Sequence, residues 1–233
     1  MMRLWGFLFV WFGLALLPVI WPEFDLSAAS AFFTSGVFAW RGAGLAEALH
    51  ELVHPLSLAL AAGLLGLALW TGWRGQGWRR WAFVLLTLVI GPGLVTNTLL
   101  KDNWGRARPV QVEQFGGTAR FTPALVPANQ CEKNCSFVCG DGAFGFWFHS
   151  FAYIAPRRRR VLFWSGLGIG AGYGLLRMGM GAHFFSDVVF AGLVIMAVSA
   201  LLYRLMFGSR ALAICWRDFL GLMPLSSAAC PRA

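Results

Sequence analysis

The chain has little of the charge that a soluble protein of its length carries. Of its 233 residues, only 12% are charged and ten are acidic, whereas 58% are hydrophobic. This composition excludes an ordinary soluble domain and predicts a membrane protein that crosses the bilayer several times. The basic excess, formally +9, lies mostly beside apolar segments, where it sets membrane orientation.

Motifs for several common functions are also missing. No basic patch is interleaved with aromatic residues, so we expect no nucleic-acid partner. The glycines of residues 166–174 do not form GxGxxG, because Tyr173 replaces the last glycine, and a dinucleotide site is excluded. The cluster Cys131, Cys135 and Cys139 has no common zinc spacing, so we predict no metal and no other cofactor. An extracytoplasmic position would leave open a disulfide between Cys131 and Cys135.

The apolar segments predict an all-α integral membrane protein with about six transmembrane helices. We place the spans near residues 4–21, 52–70, 81–100, 142–155, 161–176 and 184–205. Residues 23–51 are predicted to lie in the membrane interface, and residues 101–140 form a long extracytoplasmic loop. Residues 1–233 then make a single membrane domain. A cleaved signal peptide, ending near Ala29–Ala31, is the alternative to a retained first span.

The arginines predict how the chain is oriented. Arg79–Arg80 precede the third span and Arg157–Arg160 precede the fifth, and such clusters mark the cytoplasmic side. Because the spans alternate, Lys101, Arg177 and His183 fall on the extracytoplasmic face. The tail is predicted to be cytoplasmic on account of Arg210, Arg217 and Arg232.

Gly166, Gly170 and Gly174 recur every four residues in the fifth span. They share one helix face, and such faces let transmembrane helices pack closely. We interpret them as a packing surface.

A short motif near the end of the chain points to chemistry. His183 and Asp187 are four residues apart, so on a helix they share a face and are close enough for a hydrogen bond. A carboxylate bonded to one imidazole nitrogen leaves the other as an oriented base or nucleophile. The alternative is a histidine with a purely structural role.

Cations gather on the same predicted face. Lys101 and Arg108 follow the third span, and Arg177 precedes His183. Three cations at a membrane surface cost free energy unless they bind a polyanion. A phosphoryl group is the natural ligand, because its oxygens match the guanidinium fork. A histidine facing such cations favours phosphoryl transfer through a phosphohistidine.

These residues resemble the type 2 phosphatidic acid phosphatase family, which shares its site with vanadium haloperoxidases. Its first motif, K-x6-RP, is matched by Lys101, Arg108 and Pro109. Its third motif, SR-x5-H-x3-D, is matched by Arg177, His183 and Asp187, with Leu176 in place of the serine.

The middle motif, PSGH, is replaced by Val138-Cys139-Gly140-Asp141. The resemblance implies that Cys139 and Gly140 help to hold the phosphate and that Asp141 stands where the proton-donating histidine would be. Asp141 acts as an acid only if burial or negative charge raises its pKa. His149 is about 12 Å further along a helix, too far to replace that histidine simply.

The resemblance implies a lipid phosphatase of the bacterial inner membrane, with its site facing the periplasm and a phosphorylated membrane lipid as substrate. Lipid A, polyprenyl diphosphate and phosphatidylglycerophosphate are the candidate lipids. One alternative is a lipid-to-lipid phosphotransferase, and another is an impaired protein that only binds lipid phosphate. A vanadate-dependent oxidase is disfavoured because the chain is membrane-embedded. The head group and the oligomeric state stay open.

Overall fold

The computed structural model describes residues 2–221, with side chains from Phe7 onward except Leu8. The predicted position of Arg232 therefore lies outside the described residues. The helices are α1 (Met2–Ile20), α2 (Glu23–Ser30), α3 (Gly44–Trp73), α4 (Trp78–Leu88) with a π-helical continuation (Val89–Leu100), α5 (Gly140–Trp147), α6 (Phe151–Ile154), α7 (Arg159–Gly179), α8 (Phe185–Phe207) and α9 (Ser209–Phe219). A small antiparallel hairpin joins β1 (Phe33–Thr34) to β2 (Val37–Phe38).

The fold class is confirmed as an almost entirely helical membrane protein. Within residues 2–221, α3, α4 with its continuation and α8 are each long and apolar enough to cross a bilayer. α1 and α2 meet at a bend of 101° and form a fourth span if the bent pair crosses as one. The count of six spans stays a prediction.

Helix α3 begins earlier than the sequence indicated. The last residues of the predicted interface segment 23–51 belong to α3, which starts at Gly44, and their position in the interface stays a prediction. A helix of 30 residues is about 45 Å long, against about 30 Å of hydrocarbon. Its first turns therefore extend beyond the apolar layer, which is why they carry polar residues.

Two further segments differ from their predictions. The predicted span 142–155 is broken into α5, a 3-10 turn at Phe148–Ser150 and α6. Helix α9 was missed, since the tail was read only for its charge. Its Asp218 accepts a hydrogen bond from buried Arg159 at 2.8 Å, so part of the arginine cluster anchors a neighbouring helix.

Helix α5 lies at the centre of the molecule, and all eight of its residues are buried. The predicted glycine face of α7 packs against it. A β-carbon added at Gly166 would lie 2.2 Å from the His149 amide nitrogen, and one at Gly170 would lie 2.3 Å from the Phe146 ring. The same face continues to α8, where Gly174 meets Val188. The predicted packing surface is confirmed.

The β1–β2 hairpin covers the loop between α7 and α8. The Trp40 amide donates to the Gly179 carbonyl at 3.0 Å, and a β-carbon at Gly181 would lie 2.3 Å from the Phe38 ring. Gly181 also has a φ of +69°, which side chains rarely adopt. This packing fixes the turn that leads into His183.

Candidate active site

Backbone hydrogen bonds bring the three motif segments together. The loop after the π-helical segment turns back on itself, so the Cys135 amide donates to the Lys101 carbonyl at 3.0 Å and the Ser136 amide donates to the Arg106 carbonyl at 2.8 Å. The Cys139 amide then donates to the Asp187 carbonyl at 3.1 Å. Segments far apart in sequence are therefore held at one face of the molecule.

His183 is buried at the start of α8, with 1% of its side chain exposed. Its Nδ1 lies 2.7 Å from the Ser136 carbonyl oxygen. A carbonyl can only accept, so Nδ1 carries the proton and Nε2 is left with its lone pair. Burial lowers the pKa of His183 to about 4, although the Asp187 carboxylate opposes this. The imidazole is thus neutral and suited to nucleophilic attack near pH 7.

Asp187 supports His183 less directly than the sequence indicated. The expected hydrogen bond between the two side chains is wrong, because Nδ1 is 3.6 Å from Asp187 Oδ2 and its close partner is the Ser136 carbonyl. Oδ2 instead accepts from the Ser136 hydroxyl and from the Phe184 amide, the latter at 2.8 Å. Asp187 fixes the segment that carries the carbonyl and stays close enough to stabilise positive charge on the ring.

Arg106 binds Asp187 on the side away from His183 and fixes its position. The guanidinium is fully buried and donates to Asp187 Oδ1 at 2.7 Å and to Asp25 Oδ2 at 2.8 Å. It also donates to the Thr122 carbonyl and to the Ser186 hydroxyl. One cation thus compensates two buried carboxylates, which burial without a partner would strongly disfavour.

The three predicted phosphate-binding cations form one cluster. Burial and the charges of Arg108 and Arg177 lower the pKa of Lys101, while burial and the charge of Arg177 lower that of Arg108. This mutual repulsion shows that the three groups are close together. Arg108 donates to the Asn134 carbonyl at 2.8 Å, and Arg177 is 5% exposed. An anion between them would relieve the repulsion.

The N-terminus of α5 faces the same cluster. A β-carbon at Gly140 would lie 3.3 Å from Lys101 Nζ and 2.7 Å from Asn97 Oδ1, so glycine is required for this close approach. Among residues 2–221, no acceptor is recorded for the amides of Gly140 and Asp141. Unpaired amides at a helix N-terminus are suited to binding phosphate oxygens.

Cys139 caps α5. Its sulfur accepts from the Gly142 amide at 3.3 Å, and its own amide donates to the Asp187 carbonyl. The side chain is fully buried, and burial raises the pKa of its thiol to about 12. The amide of Cys139 is therefore already paired, whereas the S–H remains a possible donor, and its phosphate-binding role stays a prediction.

Asp141 contacts an imidazole and a guanidinium. Its Oδ2 lies 2.6 Å from His50 Nδ1 and 3.2 Å from Arg177 Nε. Burial raises the pKa of this carboxyl, but the hydrogen bond with His50 and the charges of Arg177 and His50 outweigh it and lower the pKa below 3.8. Asp141 is therefore ionised near pH 7 and unsuited to donating a proton.

The structure also locates His149 and answers the open question of the disulfide. His149 is fully buried in the core, with Nδ1 2.6 Å from the Phe146 carbonyl oxygen. Cys131 and Cys135 form a disulfide with their Cα atoms 5.7 Å apart. Among the described residues, no three His, Cys, Asp or Glu side chains are grouped as a metal site.

Comparison with known proteins agrees with this geometry. Residues 80–211 match the PAP2 superfamily. The chain belongs to this superfamily. It is 39% identical over 197 residues to a lipid A 4′-phosphatase of Francisella tularensis subsp. novicida (strain U112), covering 81% of this chain and 89% of that relative. The predicted resemblance is thus confirmed.

Two rhizobial proteins are also similar. A lipid A 4′-phosphatase of Rhizobium leguminosarum is 39% identical over 120 residues, covering 51% of this chain and 52% of the relative. A lipid A 4′-phosphatase of Rhizobium etli (strain ATCC 51251 / DSM 11541 / JCM 21823 / NBRC 15573 / CFN 42) is 32% identical over 188 residues, covering 78% of this chain and 73% of the relative. No solved structure matches the chain significantly.

Sequence reasoning missed the site's supporting residues, which are Asp25, His50, Ser136 and Ser186, and gave Arg106 no role. Asp25 offered one signal, since it is an acid in a mostly small and apolar helix, where a charge needs a partner. The partners of His50 and Ser136 lie far away in sequence and left no local pattern.

Proposed function

We propose that this PAP2-superfamily membrane protein is a phosphatase of lipid A that removes the 4′-phosphate by way of a phosphohistidine. Three relatives that bear the name lipid A 4′-phosphatase support the substrate. The observation that carries the reaction is the state of His183, whose Nδ1 is fixed by the Ser136 carbonyl while Nε2 is left for attack beside three clustered cations.

In the first step, the lone pair of His183 Nε2 attacks phosphorus and the bond from phosphorus to the sugar oxygen breaks. The electron pair stays on that oxygen, which takes up a proton. Lys101, Arg108 and Arg177, with the amides of Gly140 and Asp141, stabilise the equatorial oxygens. Asp187 stabilises the positive charge that develops on the ring.

In the second step, water attacks phosphorus, the bond from phosphorus to nitrogen breaks, and the electron pair returns to His183. One proton of the water leaves during the attack, and inorganic phosphate is released. This chemistry relies on positioned cations, which remain in place throughout both steps.

A cavity beside the site is suited to a lipid chain. It has a volume of about 400 Å³ and runs between α3, α4 with its continuation and α5. Polar groups of His50, Asn97 and Asp141 line one part of it. His54 and Ser57 also line it, and most of the remaining lining is apolar, including Val53, Leu58, Ala61, Leu88 and Phe144. A phosphate at the polar part would leave room for an acyl chain along the apolar part.

We further propose that the protein lies in the bacterial inner membrane with this site facing the periplasm. The arginine clusters Arg79–Arg80 and Arg157–Arg160 lie on the opposite side of the predicted spans from Lys101 and His183, as the positive-inside rule requires. The disulfide between Cys131 and Cys135 is in keeping with an oxidising compartment on the site's side.

The test is phosphate release by the detergent-purified chain from lipid A, polyprenyl diphosphate and phosphatidylglycerophosphate. We expect release from lipid A, with mass spectrometry locating the loss at the 4′ position. His183→Ala should abolish turnover, since it removes the proposed nucleophile. Glu51→Gln, an exposed change outside the site, is the matched control.

Two results would contradict the proposal. Full activity in His183→Ala would rule out the nucleophile. Release from another lipid, but not from lipid A, would rule out the substrate, and phosphorylation of an added acceptor lipid would identify a transferase.

A further inference from the structure

The reaction needs a group that protonates the sugar oxygen, and none of the residues named so far has been assigned this role. The family's histidine of the middle motif is replaced by Asp141. The low pKa of Asp141 keeps it ionised, so it cannot supply the proton. Breaking the bond from phosphorus to the sugar oxygen without protonating that oxygen is slow, because an alkoxide is a poor leaving group.

A histidine from another helix lies beside Asp141. His50, on the second turn of α3, has Nδ1 2.6 Å from Asp141 Oδ2. Because the carboxylate is ionised and can only accept, Nδ1 carries a proton and Nε2 is the nitrogen that exchanges protons. Arg177 Nε contacts the same oxygen at 3.2 Å, so His50 shares a partner with a phosphate-binding cation.

The two histidines differ in exposure. His183 is 1% exposed, whereas the side chain of His50 is 38% exposed and lines the cavity beside the site. In-line displacement places the leaving oxygen opposite the attacking nitrogen, so the leaving sugar needs open space. His50 borders such a space, and His183 does not.

Polar and charged groups surround His50. Asp141 on α5 contacts its Nδ1, and Arg177 on α7 contacts the same carboxylate oxygen. His54 and Asn97 line the same cavity, and Lys101 Nζ lies 3.3 Å from the β-carbon position of Gly140, the residue before Asp141. His50 is therefore linked through Asp141 to the proposed phosphate-binding cations.

We propose that His50 is the catalytic acid and base of this enzyme, with Asp141 as the carboxylate that orients it. This deepens the proposed function and rests on it. His50 Nε2 gives its proton to the sugar oxygen as the bond to phosphorus breaks, and the ring becomes neutral. In the second step the neutral ring takes a proton from the attacking water, which restores the acid.

The experiment compares leaving groups in the full-length, detergent-purified chain. His50→Asn keeps an N–H donor for Asp141 but has no nitrogen that exchanges protons. We compare kcat/KM, which reports formation of the phosphohistidine, because hydrolysis of this intermediate is common to both substrates. With lipid A we expect kcat/KM to fall by about 10²- to 10⁴-fold. With p-nitrophenyl phosphate, whose phenolate leaves without a proton, we expect kcat/KM to fall by less than about tenfold. Glu51→Gln, next to His50 on the exposed side of α3, should leave both rates unchanged.

A purely positioning role makes a different prediction, since disturbing Asp141 and Arg177 would slow both substrates equally. Equal losses, or no loss with lipid A, would overturn the proposal. A second readout uses lipid A alone: added imidazole should raise the rate of His50→Ala, and no rise would count against the acid role.

Failure here is distinguishable from failure of the proposed function. If wild-type protein turns over lipid A and His183→Ala does not, the phosphatase stands even when His50→Asn is fully active. If wild-type protein releases phosphate from no ester, the phosphatase and the role of His50 fall together.

Discussion

Replacing Arg106 should lower the stability of the protein, although Arg106 is not among the proposed substrate-binding residues. In Arg106→Met the volume is roughly kept, but the buried carboxylates of Asp25 and Asp187 lose the donor that contacts them at 2.8 and 2.7 Å. Removing one partner of a buried ion pair costs about 3–5 kcal/mol, because the remaining charge stays desolvated. Here a single substitution leaves two buried carboxylates without their cationic partner, so we expect the free energy of unfolding to fall by at least that amount.

Thermal unfolding in detergent measures the effect. For a chain of this size, 1 kcal/mol corresponds to a shift of about 2–4 °C in Tm, so a loss of about 3–5 kcal/mol predicts a fall of roughly 6–20 °C. Arg108→Gln is the control two residues away. Arg108 is half-buried, and among the described residues its guanidinium donates only to the Asn134 carbonyl, so this variant should lose turnover and keep its Tm.

The charge argument has a further consequence. Asp25→Asn removes one of the uncovered charges, so adding it to Arg106→Met should restore part of the lost stability rather than lower it further. A Tm of Arg106→Met equal to that of wild type would refute the reasoning, as would a double variant whose losses simply add.

Two smaller predictions concern packing and pH. Gly170→Ala should cost about 1–3 kcal/mol of stability, because its methyl group would lie 2.3 Å from the Phe146 ring; Gly172→Ala, with nothing within 4 Å, should be neutral or stabilising by up to about 1 kcal/mol, and equal losses in chemical unfolding would contradict this. Since burial lowers the pKa of His183 to about 4, protonation of the nucleophile should begin only well below pH 6, and an acid limb near 6.5 with an aryl phosphate, corrected for substrate ionisation, would contradict that value.

The residues that could be predicted from the sequence share one property: their spacing is local. Lys101 and Arg108 belong to one loop, and His183 and Asp187 lie four residues apart, so a fixed separation in sequence identifies each pair. The helix expected over His183 is not present, since α8 begins at Phe185. The prediction was wrong about the group that bonds His183. Asp187 was expected to bond His183 directly, but the Ser136 carbonyl, 47 residues from His183, takes that place.

The supporting residues could not be predicted because their contacts join distant parts of the chain. His50 and Asp141 are 91 residues apart, and Asp25 and Ser186 are 161 apart. No helical or loop periodicity reports such a pair, and His50 alone resembles any polar residue where a long helix leaves the bilayer. Cys139 has a second function that its position in the motif did not indicate, since its sulfur caps α5 by accepting from the Gly142 amide.

The site therefore contains two histidines, each backed by a carboxylate, in opposite environments. His183 is buried and neutral, and the charge of Asp187 behind it is compensated by Arg106. His50 is partly open, and Asp141 behind it is compensated by Arg177. Such a separation of environments is what assigns one group to attack and another to proton transfer.

His50 belongs to α3, which also lines the cavity proposed for the acyl chain. A lipid chain that fills this cavity therefore contacts the helix that positions the proposed acid. Binding energy from a chain remote from phosphorus is then available to the chemical step, where it raises kcat rather than only lowering KM.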